Sequence, residues 1–123
     1  MAIGSTKSIL VIEDDTATRT AMSFVLEEEG YSVTGVANGQ EALQHLRRTR
    51  LPDLILLDLM MPVMNGWEFR KQQAQDPALH SIPVVVVSAN ADVPQKADAL
   101  TARAYLIKPI DFVQLLEAVQ RCC

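Results

Sequence analysis

Residues 54–58 read Leu54-Ile55-Leu56-Leu57-Asp58: four aliphatic side chains, then a carboxylate. The run is short for a helix, and apolar residues at consecutive positions put hydrophobic groups on both faces of a strand. Val84-Val85-Val86-Val87 repeats the pattern and closes on Ser88. Upstream, Ile9-Leu10-Val11-Ile12 runs into Glu13-Asp14-Asp15. Strands apolar on both faces belong to a parallel sheet covered by helices on either side.

Helical stretches separate these runs. The pattern predicts a helix over 16–29 with Ala17, Ala21, Phe24, Val25 and Glu28 on one face, and Gly30 as its stop signal. Residues 31–37 set Val33 and Gly35 against Thr34 and Val36, a weaker alternation that suits an edge strand. Asn38 then caps a short helix with Ala42, Leu43 and Leu46 as its apolar positions. Further helices are predicted over about 66–75 and near 92–101, followed by a strand over 104–107. Lys108-Pro109 stops that strand, and Asp111 caps a last helix with Phe112, Leu115, Leu116 and Val119 on one face. The order βαβαβαβαβα predicts an α/β fold, a doubly wound five-stranded parallel sheet in the order 2-1-3-4-5. One domain over 8–121 is expected, with a tail at 1–7 and a short end at 122–123.

Composition agrees with one globular unit. The chain has 123 residues, 49% hydrophobic and 21% charged, enough to bury a core without staples. Eleven Lys and Arg against 15 Asp and Glu give a net charge of −4, which argues against a general nucleic-acid binder. No apolar run approaches the length of a membrane span, and residues 1–8 lack a secretory h-region, so a soluble cytoplasmic protein is expected. Cys122 and Cys123 are adjacent, which rarely allows a disulfide; two frayed terminal thiols are expected.

The polar residues fall at the strand ends. Glu13 and Asp14 follow the first strand, Asp58 closes the third, Ser88 the fourth and Lys108 the fifth. In a parallel sheet these ends share one edge, and the crevice between strands one and three is the expected ligand site. Three carboxylates packed together repel, so either one is protonated or a cation is bound. Hard oxygen donors suit Mg²⁺. With an ammonium and a hydroxyl beside it, such a site can receive a phosphoryl group, and a carboxylate can attack phosphorus to give an aspartyl phosphate. Taken singly, each of these residues is an ordinary cap, lysine or strand-end hydroxyl; the convergence carries the reading.

Four motifs in order, ILVIEDD, LILLDLMMPVMNGWEF, VVVVSAN and YLIKPID, give the chain a strong resemblance to the receiver domains of two-component response regulators, of the chemotaxis-regulator kind. The resemblance covers nearly the whole chain. The spacings, 44 positions from Asp14 to Asp58 and 30 from Asp58 to Ser88, are close to the family's habit. It implies the flavodoxin-like fold and a signalling switch rather than an enzyme. Asp58 would accept a phosphoryl group from a histidine kinase or histidine phosphotransfer protein. Asp14, Asp58 and the Met60 main-chain carbonyl would bind Mg²⁺, with Glu13 acting through water. Lys108 would pair with the phosphoryl oxygens, Ser88 would hydrogen-bond them, and Tyr105 would turn inward behind it. Pro62 and Gly66 match the family's loop, Gly66 by allowing a conformation closed to other residues, and the Lys108–Pro109 bond is expected to be cis. Met60 and Asn90, two positions beyond Asp58 and Ser88, are expected to set the phosphoryl lifetime, with slow autodephosphorylation.

Two departures stand out. The segment from Ser88 to Lys108 is about two residues shorter than usual in the family, and Ala102-Arg103-Ala104 replaces the usual Gly-Ala pair. Both fall on the surface through which receivers signal. Two rival readings are a Mg²⁺-dependent phosphohydrolase and a docking module that is never phosphorylated. Many such hydrolases place a second Asp two positions beyond the nucleophile; Met60 stands there and cannot transfer a proton. Of the remaining residues, Trp67 and Phe69 read as packing or a partly exposed patch. Met60, Met61 and Met64 do not read as a soft metal box, nor His45 and His80 as relay histidines, and Arg47, Arg48 and Arg50 read as a solvated face.

Overall fold

A computed structural model describes residues 6–61, 63–89 and 101–123. Its strands are β1 (Ser8–Ile12), β2 (Ser32–Val36), β3 (Leu54–Asp58), β4 (Val84–Ser88) and β5 (Ala104–Ile107). Its helices are α1 (Thr16–Glu28), α2 (Gly39–Arg48), α3 (Gly66–Gln75) and α4 (Phe112–Cys122). All strand pairs are parallel, in the order β2-β1-β3-β4-β5. This is the doubly wound, flavodoxin-like sheet that the apolar runs predict. The helix expected near 92–101 lies outside the described residues, except Thr101, which stands in a turn at φ 59°.

Alternation along the strands divides the core in two. Leu10, Ile12, Ile55, Leu57, Val84 and Val86 meet Ala42, Leu43, Leu46 of α2 and Phe69 of α3 on one face. Ile9, Val11, Leu54, Leu56, Val85, Val87 and Leu106 meet Met22 and Leu26 of α1 and Leu115, Ala118 and Val119 of α4 on the other. Edge strand β2 contributes Val33 to the second cluster and Val36 to the first.

The helix ends follow local chemistry. Asp15, Asn38, Asn65 and Asp111 cap α1 to α4 by accepting backbone N–H bonds, and Asn65 with Glu68 forms a full capping box. Gly30 has φ 96°, the left-handed conformation that ends α1.

Three expectations need correction. The buried residues of α1 are Met22 and Leu26, whereas Phe24 is 62% exposed. Ala17 and Ala21 share one stripe with Phe24 and Glu28, Met22 and Leu26 form another, and the second stripe is the one that packs on the sheet. Phe112 is also exposed, because Leu115, Ala118 and Val119 carry the packing of α4. The terminal cysteines are not frayed: Cys122 ends α4, the Cys123 N–H donates to the Val119 carbonyl at 2.9 Å, and both pack against the second cluster. Burial pushes the Cys123 thiol pKa up.

Candidate functional site

Strand alternation explains which side chains meet. Glu13 comes two residues after Val11, Asp58 two after Leu56, and Lys108 two after Leu106, so all three continue the sheet face toward α1 and α4. Lys108 Nζ lies 2.7 Å from Glu13 Oε1 and 3.4 Å from Asp58 Oδ2. Glu13 and Asp58 are buried, at 1% and 3% exposure, while Asp14 reaches solvent. One carboxylate oxygen from each of Glu13, Asp14 and Asp58 lies within 4.8 Å of the others. Glu13, whose role toward a metal was expected to run through water, is here the direct partner of Lys108.

The loop after β3 is folded back on Asp58. The Met60 N–H donates to Asp58 Oδ1 at 3.1 Å, and the Gly66 N–H donates to the Leu59 carbonyl at 3.0 Å. Gly66 is needed here for close approach, not for a special φ. A Cβ on it would lie 2.6 Å from the Asp58 carbonyl oxygen and 2.7 Å from Leu59 Cα. That corrects the conformational reason expected for this glycine. Pro62 lies outside the described residues; next to it, Val63 holds φ 68°, an unusual conformation for a β-branched residue.

Burial is the largest influence on Asp58 and raises its carboxyl pKa to about 7. The Met60 N–H opposes that rise, the neighbouring Glu13 charge adds to it, and the Lys108 charge opposes it. Burial works against the Lys108 ammonium, but its hydrogen bond to Glu13 and the two negative charges outweigh this and raise its pKa. The pocket therefore holds more negative charge than one lysine offsets. Its donors are all oxygen, the hard set that suits a small divalent cation.

Ser88 is buried at the end of β4, and its carbonyl accepts the Lys108 N–H at 2.9 Å. Tyr105 lies on β5 and is 45% exposed. The Lys108–Pro109 peptide is cis. Asn90 lies outside the described residues. Met61 packs into the first cluster with Met64 against it, whereas Met60 is exposed, so the three methionines do not form one group. Phe69 is buried in the first cluster, and Trp67 packs against that cluster. His45 sits on α2 with Nε2 3.2 Å from Thr49 Oγ1, and His80 is exposed after α3.

Sequence reasoning passed over Arg19. Its Nη1 donates to the main-chain carbonyl of Glu13 at 2.7 Å. The available signal was a cation close to the N-terminus of a helix, where the dipole disfavours it.

A doubly wound sheet that gathers a buried carboxyl at the β1/β3 switch point, an acid pair and a lysine has the architecture that the four motifs imply. Residues 9–120 match the response regulator receiver domain, and the chain belongs to that family of two-component systems. The polar-differentiation response regulator DivK of Brucella anthropi is 34% identical, over 93% of this chain and 94% of its own. The phosphate regulon transcriptional regulatory protein PhoB of Rhizobium meliloti is 32% identical over 91% of this chain but only 50% of its own. Among solved structures, the chemotaxis response regulator CheY4 of Vibrio cholerae superposes with a TM-score of 0.88 at 30% identity, covering 97% of this chain and all of that one. No helix among the described residues is long and apolar enough to cross a membrane.

Proposed function

We propose that this receiver takes a phosphoryl group onto Asp58 from the phosphohistidine of a histidine kinase or phosphotransfer protein. An Asp58 carboxylate oxygen forms the new bond to phosphorus as the phosphorus–nitrogen bond breaks, and the imidazole leaves. The observation that supports this most directly is the position of Asp58: buried at a strand end, with Lys108 Nζ 3.4 Å from its Oδ2 and Asp14 and Glu13 close by. Asp14, Asp58 and the Met60 carbonyl would hold Mg²⁺, whose charge, when bound, offsets that of the transferring oxygens. Lys108 and the Met60 N–H orient the acceptor, and burial keeps bulk water from it.

Phosphorylation replaces one negative charge by nearly two and adds three strong acceptors. Lys108 then leaves Glu13 for the phosphoryl oxygens, Ser88 donates its hydroxyl to them, and Tyr105 moves inward. These shifts bias a pre-existing equilibrium toward a state that binds a different partner. A hydrolase reading is weaker, because Met60 offers no general acid two positions beyond Asp58. Incubation with acetyl phosphate and Mg²⁺ should add one phosphoryl group, and Asp58→Asn should abolish it. Retained labelling in that variant defeats the proposal.

A further inference from the structure

We infer that Arg19 is a positioning residue: seated over Gly35, it grips the Glu13 carbonyl and so fixes the Glu13–Asp14 pair in the arrangement that receives a divalent cation. The inference deepens the reading above and rests on it.

Three contacts pin this loop. The Glu13 N–H donates to the Val36 carbonyl at 3.0 Å, which ties it to β2. The Asp15 N–H donates to Glu13 Oε2 at 3.1 Å, which ties the side chain to the loop. The Glu13 carbonyl accepts from Arg19 Nη1 at 2.7 Å, and Nη2 also lies 3.4 Å from Thr16 Oγ1. Arg19 touches none of the three carboxylates through these bonds; it acts on them through the backbone between β1 and α1.

The space for its stem comes from β2. A Cβ on Gly35 would lie 3.0 Å from both Cγ and Cδ of Arg19. Glycine inside a strand is less favourable than alanine by about 0.5–1 kcal/mol, and close approach of a neighbour is a standing reason to find one there. Arg19 is also the fourth residue of α1, near the positive end of the helix dipole, where a cation is unfavourable. A strand glycine and a cation at the wrong end of a helix are two local costs with one common beneficiary, the Glu13 carbonyl.

The test uses Arg19→Met, which keeps an unbranched stem over Gly35 but has no donor, with Arg19→Lys as the conservative variant. Two quantities are read on the full chain: amide exchange at Asp15 without metal, and Mg²⁺ affinity by calorimetry. Losing one charge-assisted hydrogen bond should speed Asp15 exchange about tenfold and weaken Mg²⁺ binding by a similar factor, while core amides such as Leu56 keep their protection. Lysine should recover part of both. The direction discriminates, because removing a cation beside a dication site would by charge alone strengthen binding. Unchanged Asp15 exchange, or tighter Mg²⁺ binding in Arg19→Met, overturns the inference. If the wild type binds no Mg²⁺ while Arg19→Met still speeds Asp15 exchange, the grip stands as a backbone fact and the metal-centre reading is what fails.

Discussion

Lys108 Nζ lies closer to Glu13, at 2.7 Å, than to the acceptor it is expected to serve. The ammonium pairs with a buried carboxylate while lying within 3.4 Å of Asp58. Breaking a buried ion pair from one side costs about 3–5 kcal/mol, but the Lys108 side chain is 23% exposed and water reaches it. Lys108→Met should therefore destabilise the metal-free protein by about 2 kcal/mol at pH 8. Urea titration should show this loss shrinking as the pH falls through about 7 and Asp58 takes up its proton. It should also show Mg²⁺ stabilising the variant more than the wild type.

The raised carboxyl pKa of Asp58 sets the sign of a second effect. Without metal its folded pKa of about 7 stands above the ordinary 3.8. Below about pH 4 the carboxyl is protonated in both states; between 4 and 7 only the unfolded chain ionises, so folding loses stability as the pH rises, and above 7 the loss is complete. Asp58→Asn removes that dependence. Its stability advantage over the wild type should grow from pH 4 to 7 and then level off, reaching about 1–3 kcal/mol after allowance for solvent screening. Paired thermal or urea melts across that range test it; a flat difference contradicts the burial argument.

Mg²⁺ affinity should follow the same carboxyl. A ligand must be ionised to bind, so below about pH 7 each unit of acidification should weaken Mg²⁺ binding by about tenfold, with little change above. Calorimetric titrations at several pH values, together with the proton release measured in two buffers of different ionisation enthalpy, measure this directly.

Gly66→Ala tests the loop. The added methyl would stand 2.6 Å from the Asp58 carbonyl oxygen and 2.7 Å from Leu59 Cα, both backbone atoms that cannot swing away. A loss of about 2–3 kcal/mol is expected, in the range of overpacking in a tight interior. Phosphorylation by acetyl phosphate should slow as well, because the displaced segment carries the Met60 N–H that holds Asp58 Oδ1.

These effects show where the sequence was legible. Leu54–Asp58 and Val84–Ser88 announce buried central strands, because a run of four apolar residues that closes on a polar one is too short for a helix and apolar on both faces. Period-two alternation carries Glu13, Asp58 and Lys108 to one edge whatever their separation along the chain. It does not say which acid the lysine takes: Glu13 and Lys108 are 95 positions apart, and their pairing depends on burial that only the packed sheet defines. The α1 face was misread for a different reason. Ala17 and Ala21 score as apolar but bury little, so Met22 and Leu26 decide the packing and leave Phe24 outside. At Gly66 the requirement for glycine was visible, but its cause is a steric contact with backbone eight residues upstream, which no local pattern reports.

Met60 carries the last prediction, on the phosphoryl lifetime. Its N–H is fixed 3.1 Å from Asp58 Oδ1, which ties it to the acceptor, while its side chain is 67% exposed at the rim of the site. Hydrolysis of an aspartyl phosphate needs a water aligned opposite the leaving carboxylate. A bulky thioether at the rim obstructs that approach and offers no hydrogen bond to hold the water. Met60→Ala should shorten the lifetime several-fold, and Met60→Asn further, since an amide can orient the attacking water; the backbone N–H contact remains in both. Following the decay of phosphoprotein after removal of acetyl phosphate measures the rates. Equal lifetimes in all three proteins would mean that access to phosphorus is controlled from another side of the pocket.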